Sequence, residues 1–129
     1  LEKAGLAEIT ADVDRLDTER YIRAVLSADP RPTALVGLSD TRAAQAIHVA
    51  RELGLEIPVD LSITGFDDVD RVLIQSLSLT TVRIHQDRIA HAAIEELLNF
   101  TMDAPPIKRL VPSELVHRGS VGPPPMTLL

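Results

Sequence analysis

Short apolar runs alternate along the chain with longer segments of helical periodicity. Residues 34–38, 61–66 and 79–82 are short and mostly apolar, which predicts three buried strands. Residues 39–53 carry apolar side chains at three- and four-residue spacing, which predicts an amphipathic helix that stops at Gly54. Because the run at 34–38 is continuously apolar, it predicts a strand buried on both faces, as in a parallel sheet. The order strand, helix, strand is that of a βαβ unit.

Two more helices and two extended segments flank this unit. Asp17 is a candidate N-cap for a first helix, which ends before the prolines that follow it in the sequence. Residues 87–100 have the periodicity of another helix, and residues 108–111 and 115–117 predict short extended pieces. The pattern as a whole predicts an α/β fold of three layers, with a parallel sheet flanked by helices.

Composition and charge narrow the range of functions. The chain has 129 residues, which suits one domain, and its 19 acidic against 13 basic side chains give a net charge of -6. This balance argues against DNA contact by these residues, since phosphate neutralisation needs clustered Lys and Arg. The absence of cysteine excludes disulfides and thiolate metal sites. With no apolar run of the roughly 18 residues that a membrane span needs, and no leader pattern, the expected location is the cytoplasm and no membrane contact is expected.

Polar residues directly follow two of the predicted strands. Ser39 and Asp40 come after the first strand, and Asp67 and Asp68 come after the second. Each residue type also suits a helix cap or a turn. However, open α/β sheets bind ligands at the carboxyl ends of their strands, where helix N-termini converge. Both pairs are expected at this one edge, which favours a small-molecule site.

An enzymatic interpretation is weaker. Gly37 and Ser39 lie on a strand-to-helix turn that resembles a nucleophile elbow, and Asp67 and His117 follow in the order of an α/β hydrolase that would use Ser39. Thr41 replaces the last glycine of that motif, and no glycine-rich oxyanion loop precedes it. We therefore expect no catalytic residue and no enzyme.

Metal-dependent sites are also not expected. A phosphoacceptor receiver needs a lysine after a late strand, but the two lysines, Lys3 and Lys108, are not so placed. The four histidines do not pair at i, i+4, and no cysteine joins them. The sequence thus predicts neither a metal nor a cofactor.

Four blocks of the sequence resemble the LacI/GalR family of transcription regulators. Residues 32–40 resemble the family's Pro-Thr-Ala-strand-Asn-Asp motif, and residues 51–68 resemble its next block almost throughout. Residues 79–83, with Leu-Thr-Thr, and residues 110–120, with Leu-Val-x-Arg-Gly, resemble its later blocks. The blocks occur in the family's order and spacing, which is more specific than any single motif.

The resemblance implies a particular part of a larger fold. Members of the family have a DNA-binding headpiece and a two-lobed effector-binding domain of the periplasmic-binding-protein type I fold. Residues 1–129 resemble mainly the C-terminal lobe, a partial effector-binding domain without the headpiece and without most of the first lobe. Because residues 1–6 look like the last turn of a helix, the chain is expected to be truncated at its N-terminus. A helix at about 86–102 would pack on the missing lobe.

Carried over by position, the resemblance implies effector contacts at Ser39, Asp67, Gln86 and, by a weaker alignment, Arg15. Ser39 stands where the family commonly has Asn, whereas Asp68 is expected to be structural. The implied partners are a small-molecule effector of the sugar or nucleoside class, a second copy of the chain, and operator DNA bound only through the missing headpiece. A transport-type sugar-binding protein of the same fold is the alternative.

Overall fold

The computed structural model describes residues 15–101, 105 and 107–125, with residues 15–17 and 71 as backbone only. The predicted helix end at residues 1–6 lies outside this part. The helices are α1 (Arg15–Leu26), α2 (Asp40–Glu52), α3 (Arg71–Ser76) and α4 (Gln86–Leu98). The strands are β1 (Ala34–Val36), β2 (Ser62–Asp67), β3 (Thr80–Arg83) and β4 (Glu114–Val116).

The strands form one sheet in the order β1-β2-β3-β4. The first three strands are parallel, and β4 pairs antiparallel with β3. The predicted α/β class is confirmed, and the sheet is mostly parallel, with β4 as the exception. Of the two extended pieces expected near the C-terminus, the later one becomes β4. Residues 108–111, the earlier piece, do not join the sheet.

β1 is not buried on both faces, which corrects the prediction from its apolar run. It lies at one edge of the sheet, and Val36 is 79% exposed. Within the described part of the chain, α2 packs on one side of the sheet, and the side chains of Val36, Phe66 and Leu115 on the other side are exposed. An apolar run shows that a strand suits burial, but it does not show what buries it.

α2 supplies more of the buried core than any other single element. Its buried face is rich in alanine, so the helix lies close to β2. The buried apolar residues come from α1, α2, α3, β2 and the positions directly before β2 and β3; they are Ile22, Leu26, Ala43, Ala46, Ile47, Val49, Ala50, Leu61, Ile63, Ile74 and Leu79. Ser39 is the N-cap of α2 and Gly54, with φ +76°, follows its end, as the sequence predicts.

One predicted helix cap and one whole helix differ from the sequence-based expectation. Asp17 lies within the described part of α1, so it does not cap this helix. α3 was not predicted, since six residues are too few for a periodic pattern. Asp70 caps α3 by accepting a hydrogen bond from Leu73 N at 3.1 Å.

The segment after β4 runs back to the amino ends of β2 and β3 and connects these two strands. The buried hydroxyl of Ser120 donates to Ile63 O at 2.6 Å and accepts from Thr80 N at 2.8 Å. Ile63 N in turn donates to Ser120 O at 2.8 Å. Ser120 therefore bridges β2 and β3 where their pairing begins.

α4 stands apart from the core. It contributes no buried residue, and its large apolar side chains are exposed; they are Ile89, Ile94, Leu97 and Leu98. None of the helices in the described ranges has both the length and the apolar character to cross a bilayer.

Candidate functional site

The two polar pairs predicted at one edge of the sheet meet there. Ser39 Oγ accepts a hydrogen bond from Arg42 N at 3.3 Å, which fixes the first turn of α2 at the end of β1. The adjacent Asp40 is buried, and its Oδ2 accepts from Asp68 N at 2.7 Å. This bond joins the turn after β1 to the turn after β2, so the expected convergence is confirmed.

Asp67 ends β2 in an unusual backbone conformation. Its φ is +106°, and the φ of Asp68 is +54°. Positive φ costs free energy in residues other than glycine, and it persists where surrounding contacts enforce it. The carbonyl of Asp67 accepts from Ile84 N at 3.3 Å, and its side chain is half-buried. Strain is thus localised at the residue that the sequence singles out as a ligand acceptor.

Asp68 is held by two arginines. Arg83 Nε lies 2.6 Å from Asp68 Oδ2, and Arg118 Nη2 lies 2.9 Å from Asp68 Oδ1. The carboxylate itself has no exposed surface. Burial alone would raise the pKa of Asp68, but the hydrogen bonds from Arg83 and Arg118 outweigh it and hold this pKa below its usual value. Both oxygens are occupied by protein groups, which agrees with the structural role expected for Asp68.

Gln86 lies close to this edge of the sheet, and Arg15 lies in α1. Gln86 is the exposed first residue of α4, and its backbone N donates to Ile84 O at 2.9 Å. Because Ile84 N donates to Asp67 O, two successive backbone hydrogen bonds link Gln86 to Asp67 through Ile84. Arg15 is the first residue of α1, one turn before Thr18, whose hydroxyl accepts from Arg42 Nη1 at 2.8 Å. The side chain of Arg15 lies outside the described part of the structure.

Sequence reasoning missed Arg83 and Arg118 as members of this site. Asp68 and Arg118 lie 50 positions apart in the chain. Neither arginine has a local spacing that indicates its partner. The available signal was their membership in the two blocks at 79–83 and 110–120. These blocks are in contact: Arg118 N donates to Thr80 Oγ1 at 2.9 Å, and Thr80 Oγ1 lies 3.1 Å from Arg118 O.

An apolar groove runs along the open face of the sheet beside this edge. Its lining includes Val36, Leu38, Phe66, Val82 and Leu115. A carboxylate acceptor beside apolar walls is a common design for sites that bind small polar molecules. Across residues 15–101, 105 and 107–125, no group of three His, Cys, Asp or Glu side chains is arranged to hold a metal ion.

Comparison with known families decides the affiliation of the chain. The sequence model of the periplasmic binding protein-like domain matches residues 2–121. The chain belongs to this family. Its curated relatives include HTH-type transcriptional regulators, and its structural neighbours include regulators of the LacI family, which confirms the resemblance found in the four sequence blocks.

Several similar proteins are regulators by name. The transcriptional regulator MalR of Streptomyces coelicolor is 40% identical over 95 residues, which are 72% of this chain and 28% of the relative. A probable opine utilization operon repressor of Rhizobium rhizogenes is 36% identical over 103 residues, 78% of this chain and 52% of the relative. The crystal structure of a LacI-family regulatory protein from Chloroflexus aggregans superposes with a TM-score of 0.69 at 33% identity, covering 81% of this chain and 39% of that one.

The chain therefore spans between about a quarter and a half of the length of these curated relatives. The matches favour the ligand-binding part of a regulator over the transport-type alternative. The relatives named here are transcriptional regulators and not hydrolases. The hydroxyl that a hydrolase would use, Ser39 Oγ, accepts the capping hydrogen bond of α2.

Proposed function

We propose that this chain is the effector-binding part of a DNA-binding transcriptional regulator, and that Asp67 accepts hydrogen bonds from hydroxyl groups of a sugar or nucleoside. The observation that carries the proposal is a difference among three neighbouring carboxylates. In the described part of the chain, Asp40 and Asp68 are buried and bound by protein groups. The half-buried carboxylate of Asp67 receives no hydrogen bond or ion pair from the described residues. An ionised carboxylate with free lone pairs is suited to accept from hydroxyl donors.

Other predicted contacts extend this site. The Oγ of Ser39 accepts the capping bond from Arg42 N, so its hydroxyl hydrogen can donate to a ligand atom. Gln86 offers an exposed amide at the start of α4. Arg15 stays a prediction from the resemblance. Ser39 is shorter than the Asn of the family, so the contact of that Asn with the effector is expected to be either lost or bridged by water here.

The whole regulator would work by linkage between two sites. An effector that binds one arrangement of the two lobes more tightly than another shifts the population between them and so changes the affinity for operator DNA. DNA would be bound by a headpiece and not by this acidic chain. A second copy of the chain is the expected partner, no membrane is involved, and the cytoplasm is the expected location, since transcription takes place there.

Titration of the purified protein with a panel of candidate effectors tests the proposal. The panel contains D-glucose, maltose, adenosine and guanosine; octopine is added because one relative is a probable repressor of an opine utilization operon. We expect calorimetry to detect binding of a sugar or a nucleoside. Asp67→Asn should weaken this binding by about 1.5–3 kcal/mol, the usual contribution of a hydrogen bond to a charged group.

Asp29→Asn is the matched control. Asp29 is exposed and precedes β1, so it lies at the amino edge of the sheet, away from the site. This variant removes the same charge and should leave the affinity unchanged. Equal affinities of the wild type and Asp67→Asn would contradict the assignment of Asp67. Binding of octopine alone would contradict the proposed class of effector.

A further inference from the structure

We propose that Arg118 is a positioning residue for the effector site: its guanidinium holds the turn at Asp67 and Asp68 in the conformation that presents the Asp67 carboxylate. This proposal rests on the proposed function of Asp67. Arg118 does not need to touch the effector, because it acts through its contact with Asp68.

Arg118 is itself fixed at both ends of its side chain. Its backbone N and O both lie within hydrogen-bond distance of Thr80 Oγ1, at 2.9 and 3.1 Å. Its Nη1 donates to Leu79 O at 2.6 Å, and its Nη2 donates to Asp68 Oδ1 at 2.9 Å. Only 16% of its side chain is exposed. A planar guanidinium held in this way is a rigid support for a carboxylate.

The turn needs such support because its backbone is unfavourable. Asp67 and Asp68 both have positive φ, at +106° and +54°. Asp68 is fixed through its backbone by Asp40 and through its side chain by two arginines. Since Asp67 is bonded directly to this anchored residue, the direction of its carboxylate depends on the anchor. Without the anchor, the backbone can relax toward more common φ values.

Arg83 contributes to the same anchor but is a less specific probe. It belongs to β3, where it is the register partner of Asp67, and its Nη1 also approaches Glu114 Oε2 at 3.4 Å. Its replacement would disturb strand pairing along with the turn. Arg118 lies outside the strands, in the segment that follows β4. A substitution at Arg118 therefore changes no side chain of the sheet itself.

The test compares amide hydrogen exchange and amide chemical shifts in the wild type, Arg118→Gln and Arg118→Lys. The reporters are the Asp68 amide, which donates to Asp40, and the Ile84 amide, which donates to the carbonyl of Asp67. We expect Arg118→Gln to accelerate exchange at both amides by about tenfold or more and to shift the Asp67 amide resonance. Arg118→Lys keeps the charge but not the two-pronged geometry, so it should restore part of the protection.

Arg31→Gln is the control for a general loss of stability. Arg31 forms an ion pair with Asp60 at 3.5 Å, and both residues precede strands, at the amino edge of the sheet. Its removal should accelerate exchange near 31 and 60 and leave the Asp67 resonance in place. If Arg118→Gln does not fold, the comparison of Arg118→Lys with the wild type and with Arg31→Gln is the test. A change at Asp68 and Ile84 no larger than that in Arg31→Gln would overturn the proposal.

Binding distinguishes this proposal from the proposed function. With the same panel of D-glucose, maltose, adenosine and guanosine, Arg118→Gln should raise the Kd of the compound that binds by about tenfold, whereas Arg31→Gln should not. An unchanged Kd in Arg118→Gln, while Asp67→Asn still weakens binding, would overturn the positioning role alone. An unchanged Kd in Asp67→Asn would overturn the proposed function, whatever the exchange data show at the turn.

Discussion

The carboxylate of Asp40 accepts a hydrogen bond from the hydroxyl of Thr81 at 2.5 Å, and both residues are buried. Asp40 begins α2, directly after β1, whereas Thr81 lies in β3. The contact therefore passes over β2, the strand between them. Gly65 of β2 is the register partner of Thr81 and provides the space, since a Cβ on Gly65 would lie 2.3 Å from Asp40 Oδ1. One buried carboxylate thus connects all three parallel strands near the candidate site.

Replacement of Thr81 by Val should destabilise the fold. Val has almost the same shape, but it leaves Asp40 Oδ1 buried without this donor. We expect the free energy of unfolding to fall by about 1–3 kcal/mol, measured by urea denaturation. Thr64→Val is the control in the same sheet, because Thr64 is only half-buried and lies beside the open groove. Equal stabilities of the two variants would contradict the importance of the Asp40 contact.

Replacement of Gly65 by Ala should also lower stability, and for a related reason. The added methyl group would overlap Asp40 Oδ1 and lie 3.2 Å from Asp40 Cα, so the start of α2 must move. Overpacking of this kind costs about 1–3 kcal/mol. A double-mutant cycle with Asp40→Ala checks the cause, since the penalty of Gly65→Ala should shrink once the carboxylate is gone. An undiminished penalty would mean that the clash lies elsewhere.

Acid should weaken the anchor at Asp68. The arginines lower the pKa of Asp68 in the folded state. Its ionised form therefore stabilises the fold above the unfolded pKa, and this contribution is lost as the pH falls below about 4. Asp68→Asn should reduce stability by about 1.5–3 kcal/mol at neutral pH, and the difference from the wild type should narrow in acid.

Denaturation of the wild type, Asp68→Asn and Asp29→Asn across this pH range measures the effect. Asp29 is exposed, so its variant should follow the wild-type curve. If the difference between the wild type and Asp68→Asn stays constant from neutral pH into acid, the ionised form of Asp68 is not what stabilises the turn.

The exposed apolar side chains of α4 should drive self-association of this chain. Leu97 and Leu98 are 73% and 81% exposed, and Ile94 is 57% exposed. Extended apolar patches are rare on monomers. The helix does not fold back onto its own sheet, which leaves a second copy as the expected cover for these residues. That the helix packs on a first lobe in the whole protein stays a prediction.

Sedimentation at tens of micromolar should reveal a species larger than the 14.0 kDa monomer. Leu97→Lys should shift the distribution toward the monomer. Leu38→Lys is the matched control, since Leu38 is 80% exposed but precedes α2. A wild type that sediments as a monomer would contradict the prediction, and dissociation by Leu38→Lys alone would place the contact near α2 instead of α4.

The sequence by itself determined the features that depend on near neighbours. The three- and four-residue spacing after Ser39 predicted α2, because a helix repeats over that distance, and Ser39 and Gly54 marked its limits. The order of strands and helices predicted a parallel sheet and placed Ser39 and Asp67 at one edge of it. Periodicity, capping and the direction of parallel strands are local properties, and they are written in consecutive residues.

Only the tertiary structure decided which side chains meet. The same apolar character that predicted burial of β1 leaves Val36 exposed, because burial depends on what packs against a strand. In the sequence, Asp40 and Asp68 look like Asp67. The fold gives Asp40 and Asp68 the partners Thr81, Arg83 and Arg118, whereas the carboxylate of Asp67 has no partner among the described residues. These partners lie 41, 15 and 50 positions away. Contacts over such separations follow from the path of the whole chain, and no local pattern encodes them.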